Sequence, residues 1–236
     1  MLKITEKENI FVSAVIVSAG NSTRMGGVNK QFLEFCGMPV IAHSIKAFQD
    51  CSLIDEIVVV TREEDILKIK DCADKFGFSK VVYVVKGGDT RQKSVINGVN
   101  CCSFNADFIA IHDGARPLVT ENVIRDTLNV AISTGAATTG VAVIDTIKCV
   151  NDKNEILSTP ERATLRAVQT PQIFNKKLYL DAVENVADSA NFTDDCKLIE
   201  AYGHTVTVVD GDYENIKITT PNDVNLAESY FLKRSK

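Results

Sequence analysis

The chain has 236 residues, 45% hydrophobic and 24% charged, with a formal net charge of −5. That balance is ordinary for a soluble globular protein and argues against a chain that coats nucleic acid or an anionic membrane surface through overall positive charge, so a bound anion must be met by local basic residues. No apolar run approaches membrane-spanning length, the start MLKITEKEN lacks a signal-type apolar segment, and the seven scattered cysteines contain no CxxC pair, which together predict a cytoplasmic protein with reduced thiols and no structural zinc.

In chain order, residues 10–18 read as a strand, apolar on both faces as a parallel sheet requires. Pro39 opens a helix to about Gln49, with Ile41, Ile45 and Phe48 on one face. A strand follows at 56–60. The amphipathic stretch EEDILKIKDCADKFG predicts a helix with Gly77 as its left-handed stop. Then come a strand at 80–85, a helix over RQKSVINGVNCC, a strand at 107–113, and a helix capped by Thr120 that ends before Gly135. GVAVIDTIKCV reads as one further strand, and HTVTVVDG and ENIKIT as two more. Helices are expected from about Lys176, after a cap at Thr193, and after Thr220-Pro221. The β–α–β alternation predicts a three-layer α/β fold with a mostly parallel sheet. Residues 145–162 break it: polar and apolar residues alternate around Asn-Asp-Lys-Asn, a hairpin signal. With no place in a parallel core, that hairpin is expected to project from a single domain spanning 1–236.

Three loops follow strands and invite chemistry, because open α/β sheets bind ligands at the carboxyl ends of their strands. The first, VSAGNSTRMGGVNKQ, offers backbone N–H groups at Ser18, Ala19 and Gly20 and positive charge at Arg24 and Lys30, which suits a polyphosphate. It lacks GxxxxGK[ST] and GxGxxG, and is also readable as a surface turn with two solvated cations. The second, KGGDTRQKS, sets Gly87 and Gly88 where backbone approaches a base edge, with Asp89 and Ser94 as polar contacts, or is an ordinary capped turn. The third, IHDGARP, ends a buried strand on Asp113, positioned for a metal or a substrate, with Arg116 suited to phosphate; an Asp–Arg ion pair is the plainer alternative. Arg162, Thr170, Thr193 and Lys217 are unremarkable taken singly.

Read together, SAGNSTRMGGVNKQF, GMPVIAHSIKAF, GGDTRQKSV, IHDGARP, DTIK, VQTPQIF, TDD and NIKITTPNDVNLAE resemble, in order and from about residue 15 to 228, the 2-C-methyl-D-erythritol 4-phosphate cytidylyltransferase family of the non-mevalonate isoprenoid pathway. The resemblance implies a Rossmann-like nucleotidyltransferase fold whose projecting β-arm exchanges contacts in a homodimer, and a reaction joining CTP to a polyol phosphate with Mg²⁺. It implies that Arg24 and Lys30 stabilise the transition state, and that the first loop holds the triphosphate. Gly88, Asp89 and Ser94 would read cytosine, with Gly114 near the ribose and Asp113 near the metal. Asp113, Arg116, Arg162, Thr170 and Thr193 would hold the polyol phosphate, and Lys217 would set it against the α-phosphate, Arg162 reaching in from the neighbouring arm. Gly114 departs from the family's frequent alanine, and Ser18 also stands at an alanine position. The alternatives are a ribitol-5-phosphate cytidylyltransferase, which shares the fold, and a non-catalytic nucleotide-binding module.

Overall fold

The computed structural model describes residues 10–20, 29–186 and 192–234. The elements in chain order are β1 (Val12–Val17), a 3-10 turn (Lys30–Phe32), β2 (Glu34–Phe35), β3 (Met38–Pro39), α1 (Val40–Asp50), β4 (Glu56–Thr61), α2 (Ile66–Phe76), β5 (Val81–Lys86), α3 (Arg91–Val99), β6 (Phe108–Asp113), α4 (Glu121–Thr134), β7 (Ala136–Ala142), β8 (Cys149–Val150), β9 (Ile156–Ser158), β10 (Arg166–Asn175), α5 (Lys176–Asn185), α6 (Asp195–Ala201), β11 (Thr207–Asp210) and α7 (Pro221–Arg234). Seven strands form the main sheet in the order β11-β7-β10-β6-β1-β4-β5. Every pairing in it is parallel except those of β10, which runs against both β6 and β7.

The central strands are apolar on both faces because helices cover both. Val12, Ala14 and Ile16 of β1 pack with Ile41, Ile45 and Phe48 of α1, and the same cluster takes in Ile69 of α2 and Ile124 of α4. Val15, on the opposite face, joins Val95 of α3, Tyr179 of α5 and Ile199 of α6. Side chains of successive strand residues point to opposite faces, so one uninterrupted apolar run serves two cores. The expected helix stops hold: Gly77 and Gly135 take the left-handed conformation with φ 68° and 84°.

Four local expectations shift. Pro39 flanks α1 as its cap residue and is not inside its first turn. GVAVIDTIKCV is not one strand: β7 stops at Ala142, and Cys149–Val150 belongs to a separate antiparallel pair with Ile156–Ser158. The turn of that pair is the expected Asn-rich one, in which Asn151 Oδ1 accepts from Lys153 N and Glu155 N, both at 3.0 Å. The cap of α6 is Asp194, whose side chain accepts from Lys197 N, and not Thr193. ENIKIT forms no strand; it leaves the sheet and is held by Ile218 N donating to Ala115 O at 2.8 Å. The chain was pulled there because Ile218 is fully buried beside Phe35 and Val40, so packing replaced a ladder.

Candidate active site

Parallel register brings the ends of β1, β4, β5 and β6 to one edge: Val17 pairs with Val60 and Asp113, and Thr61 with Lys86. A cleft of about 680 Å³ opens there, lined among others by Ala19, Lys30, Gly88, Arg91, Asp113 and Lys217. Its floor is the first loop meeting the second. A Cβ built on Gly87 would stand 2.4 Å from Ala19 Cβ and 2.8 Å from Ser94 Oγ, so only glycine fits this approach. Ser94 Oγ accepts from Gly88 N at 3.0 Å and donates to Thr90 O at 2.9 Å, which shapes the second loop. Asp89 projects from it, its side chain almost fully exposed. Ser18 does not offer the backbone N–H expected of it: its N–H and its hydroxyl both donate to Val60 O, at 2.7 and 2.8 Å, because the loop still continues the pairing of β1 with β4 there.

Asp113, at the end of β6, is the electrostatic centre. Lys217 Nζ lies 2.7 Å from its Oδ2, Arg116 Nε 3.8 Å from the same oxygen, and Arg91 Nε 3.9 Å from Oδ1. Burial works to raise this carboxyl, but Lys217 and Arg91, with Arg116 behind them, reverse that and hold it at about 2. A hydrogen-bonded chain fixes its backbone. Asp113 N donates to Thr170 Oγ1 at 3.0 Å, Thr170 Oγ1 lies 3.0 Å from His112 Nδ1, and His112 Nε2 lies 3.1 Å from Arg116 O. With Nε2 donating to that carbonyl, Nδ1 is left to accept from Thr170, the tautomer of a neutral ring. Burial depresses His112 to about 4, in keeping with that neutral ring.

Lys30 and Lys217 are drawn together by one short segment: Lys30 Nζ donates to Ile218 O at 2.9 Å. Arg116 is tied to that segment too, donating from Nη1 to Asn215 O at 2.8 Å, while Asn215 Nδ2 donates to Thr170 O at 2.9 Å. The structure thus assembles Lys30, Asp113, Arg116, Thr170 and Lys217 at one place, with Gly114 beside them. Arg24 lies outside the described residues. Thr193 is exposed one residue ahead of the α6 cap, and Arg162 is exposed, donating to Ile144 O at 2.9 Å; neither lines the cleft of this chain. Arg91 was missed. Its signal was present inside GGDTRQKS, where a basic residue opens a helix and faces the next strand end.

No group of three or more His, Cys, Asp or Glu among the described residues is placed to hold a metal ion. Asp113 is one carboxylate already shared among three cations, a donor set suited only to an ion whose remaining ligands come from bound phosphates.

Residues 12–233 match the family model described as IspD, 2-C-methyl-D-erythritol 4-phosphate cytidylyltransferase. The chain belongs to this family. The protein of that name from Caldanaerobacter subterraneus subsp. tengcongensis is 46% identical over 225 residues, covering 94% of this chain and 99% of the relative. Its counterpart from Alkaliphilus oremlandii is 43% identical over 232 residues, 96% of this chain and 98% of the relative. Among solved structures, 4-diphosphocytidyl-2C-methyl-D-erythritol synthase from Anaerococcus prevotii superposes with a TM-score of 0.85 at 32% identity, covering 95% of this chain and 97% of that one. Membership in this family makes the chain a cytidylyltransferase.

Proposed function

We propose that this protein transfers CMP from CTP to 2-C-methyl-D-erythritol 4-phosphate, releasing pyrophosphate. The observation that carries the reading is the convergence of Lys30, Lys217 and Arg116 around the end of β6, in a chain matched by this family over residues 12–233. A phosphate oxygen of the polyol phosphate attacks the α-phosphorus of CTP; a new P–O bond forms, and the bond from that phosphorus to the β-phosphate oxygen breaks. The attacking oxygen is already anionic, so no side-chain nucleophile or general base is required. The difficulty is repulsion between two anions, and cations fixed before reaction answer it. Lys217, on leaving Asp113, orients the incoming phosphate; Lys30 offsets charge that builds toward the pyrophosphate.

Mg²⁺ is proposed as the cofactor, arriving on the triphosphate, with Asp113 the residue nearest to it in role; bound there it would neutralise phosphate charge. A homodimer is proposed through the arm, where Ile144, Ile156 and Leu157 are each more than 60% exposed. In that arrangement Arg162 reaches the neighbouring subunit's polyol phosphate site; apart from the arm, Thr193 is proposed for the polyol phosphate and Arg24 for the triphosphate. A cytoplasmic location is proposed from the thiol pattern; no helix among the described residues is long and apolar enough to cross a membrane. Ribitol 5-phosphate is the disfavoured substrate, since the matching relatives are named for methylerythritol phosphate.

The test is pyrophosphate release with Mg²⁺, crossing CTP, UTP, ATP and GTP against methylerythritol 4-phosphate and ribitol 5-phosphate. Release confined to CTP with methylerythritol phosphate is expected. Release with ribitol phosphate instead would move the substrate, and CTP binding without release would leave a binding module.

A further inference from the structure

Lys217 has two tasks that conflict. In this structure its ammonium sits 2.7 Å from Asp113 Oδ2, and a phosphate that uses it must draw it away. Asp113 is only 13% exposed in its side chain, so water replaces little of what it loses. The carboxylate must keep other positive partners, and those partners must not follow Lys217 to the ligand.

Arg91 is built for this. Its Nε faces Asp113 Oδ1 at 3.9 Å, while its Nη1 donates to Asp195 Oδ2 at 2.6 Å. Asp195 is nearly inaccessible and belongs to α6, not to the cleft wall; Tyr179 Oη donates to its Oδ1 at 2.9 Å, and its own N–H donates to Gln172 Oε1 at 3.1 Å. Tyr179 is itself fully buried on α5. The guanidinium is thus clamped from behind, and a planar fork held by one carboxylate presents its remaining N–H in a fixed direction. The groups facing it are Asp113 on β6, Asp195 on α6 and Tyr179 on α5. Burial opposes the charge of Arg91, and Asp195 with Asp113 outweighs that effect, so it stays protonated throughout.

We propose that Arg91, anchored by Asp195 and Tyr179, is a positioning residue that shares the charge of Asp113 and so frees Lys217 for the incoming polyol phosphate. The inference rests on the reaction proposed above. It extends the site through α6 to the buried face of α5, beyond any residue lining the cleft.

Arg91→Met keeps length and apolar stem but removes the charge. Lys217 should then stay on Asp113, and KM for the polyol phosphate should rise about tenfold while KM for CTP changes less than about twofold, a coupling in the range for residues that share a network. Asp195→Asn should raise the same KM in the wild-type background and add nothing in the Arg91→Met background. Tyr179→Phe, which deletes one hydroxyl, should raise it roughly two- to threefold, the scale of one hydrogen bond, and serves if Arg91→Met fails to fold. Equal rises in both KM values, additive effects of Arg91 and Asp195, or an unchanged KM in Tyr179→Phe would overturn the proposal. Urea unfolding of Arg91→Met, Asp113→Asn and the double variant gives a readout independent of turnover. Non-additive midpoints are expected, and additive ones would overturn the Arg91–Asp113 link. If the wild type releases no pyrophosphate, the reaction is wrong, and this cycle still decides whether Arg91 serves Asp113.

Discussion

Lys30 donates to the carbonyl of Ile218 at 2.9 Å across 188 positions of sequence. That bond places the Lys30 ammonium beside the residue that follows Lys217, so the two lysines proposed for the leaving pyrophosphate and the incoming phosphate share one stretch of backbone. Lys30→Ala should keep the fold and lower turnover by about 10²–10³, the usual effect of removing one preorganised donor. Circular dichroism checks the fold and pyrophosphate release checks the rate; near-normal turnover removes Lys30 from the mechanism.

Arg162 is held by Ile144 on the arm and does not line its own chain's cleft. If the arm serves a neighbouring site, Arg162→Ala and Lys30→Ala chains, each nearly inactive, should recover activity when co-assembled, because one of the two mixed sites keeps both residues. A purified heterodimer with no recovery would return Arg162 to its own subunit or exclude it from the site.

Gly114 stands where relatives are expected to carry alanine, and here the space is taken. An added Cβ would meet Ile41 Cδ1 at 2.7 Å and Ser18 Cβ at 3.1 Å. Ile41 is fully buried, so the clash must be absorbed by the core. Gly114→Ala should therefore destabilise by about 1–3 kcal/mol, the range for overpacking. The urea midpoint checks this, and an unchanged midpoint would show that Ile41 has room to move.

His112 is buried as a neutral ring, with a folded value of about 4 against an ordinary 6.5. The unfolded chain binds a proton there that the folded chain refuses, so the stabilising contribution is complete above about 6.5 and is lost as pH falls toward 4. The shift corresponds to about 3 kcal/mol at the extreme. His43 is lowered by burial as well and adds to the same slope. Urea midpoints between pH 7.5 and 5, compared with His112→Gln, should show a shallower decline in the variant; equal slopes would mean that His112 is charged in the folded state.

The parallel core of the sheet was legible in the sequence because β1, β4, β5 and β6 are short, continuous apolar runs divided by helices with a 3.6-residue period, and Gly77 and Gly135 mark helix ends that need a left-handed residue; β10, whose RAVQTPQIFN mixes polar and apolar residues, was not read as a strand. Either loop alone also reads as an ordinary turn; what the sequence shows is that both follow strands, and the structure brings them together at one cleft. ENIKIT was misread because apolar alternation records which side of a segment is buried, not what its backbone pairs with; burial of Ile218 against Phe35 drew it off the sheet. The same limit applied to Arg91. Its charge was visible, but its partner Asp195 lies 104 residues away on a helix that the sequence predicts without placing it against α3. By itself the sequence determined the α/β alternation of the parallel core, the glycine-rich loops at its strand ends and the family. Only tertiary structure decided that Asp113 has three cations around it and that Lys30 and Lys217 meet, because those are long-range pairings fixed by how the layers pack, and no local pattern encodes them.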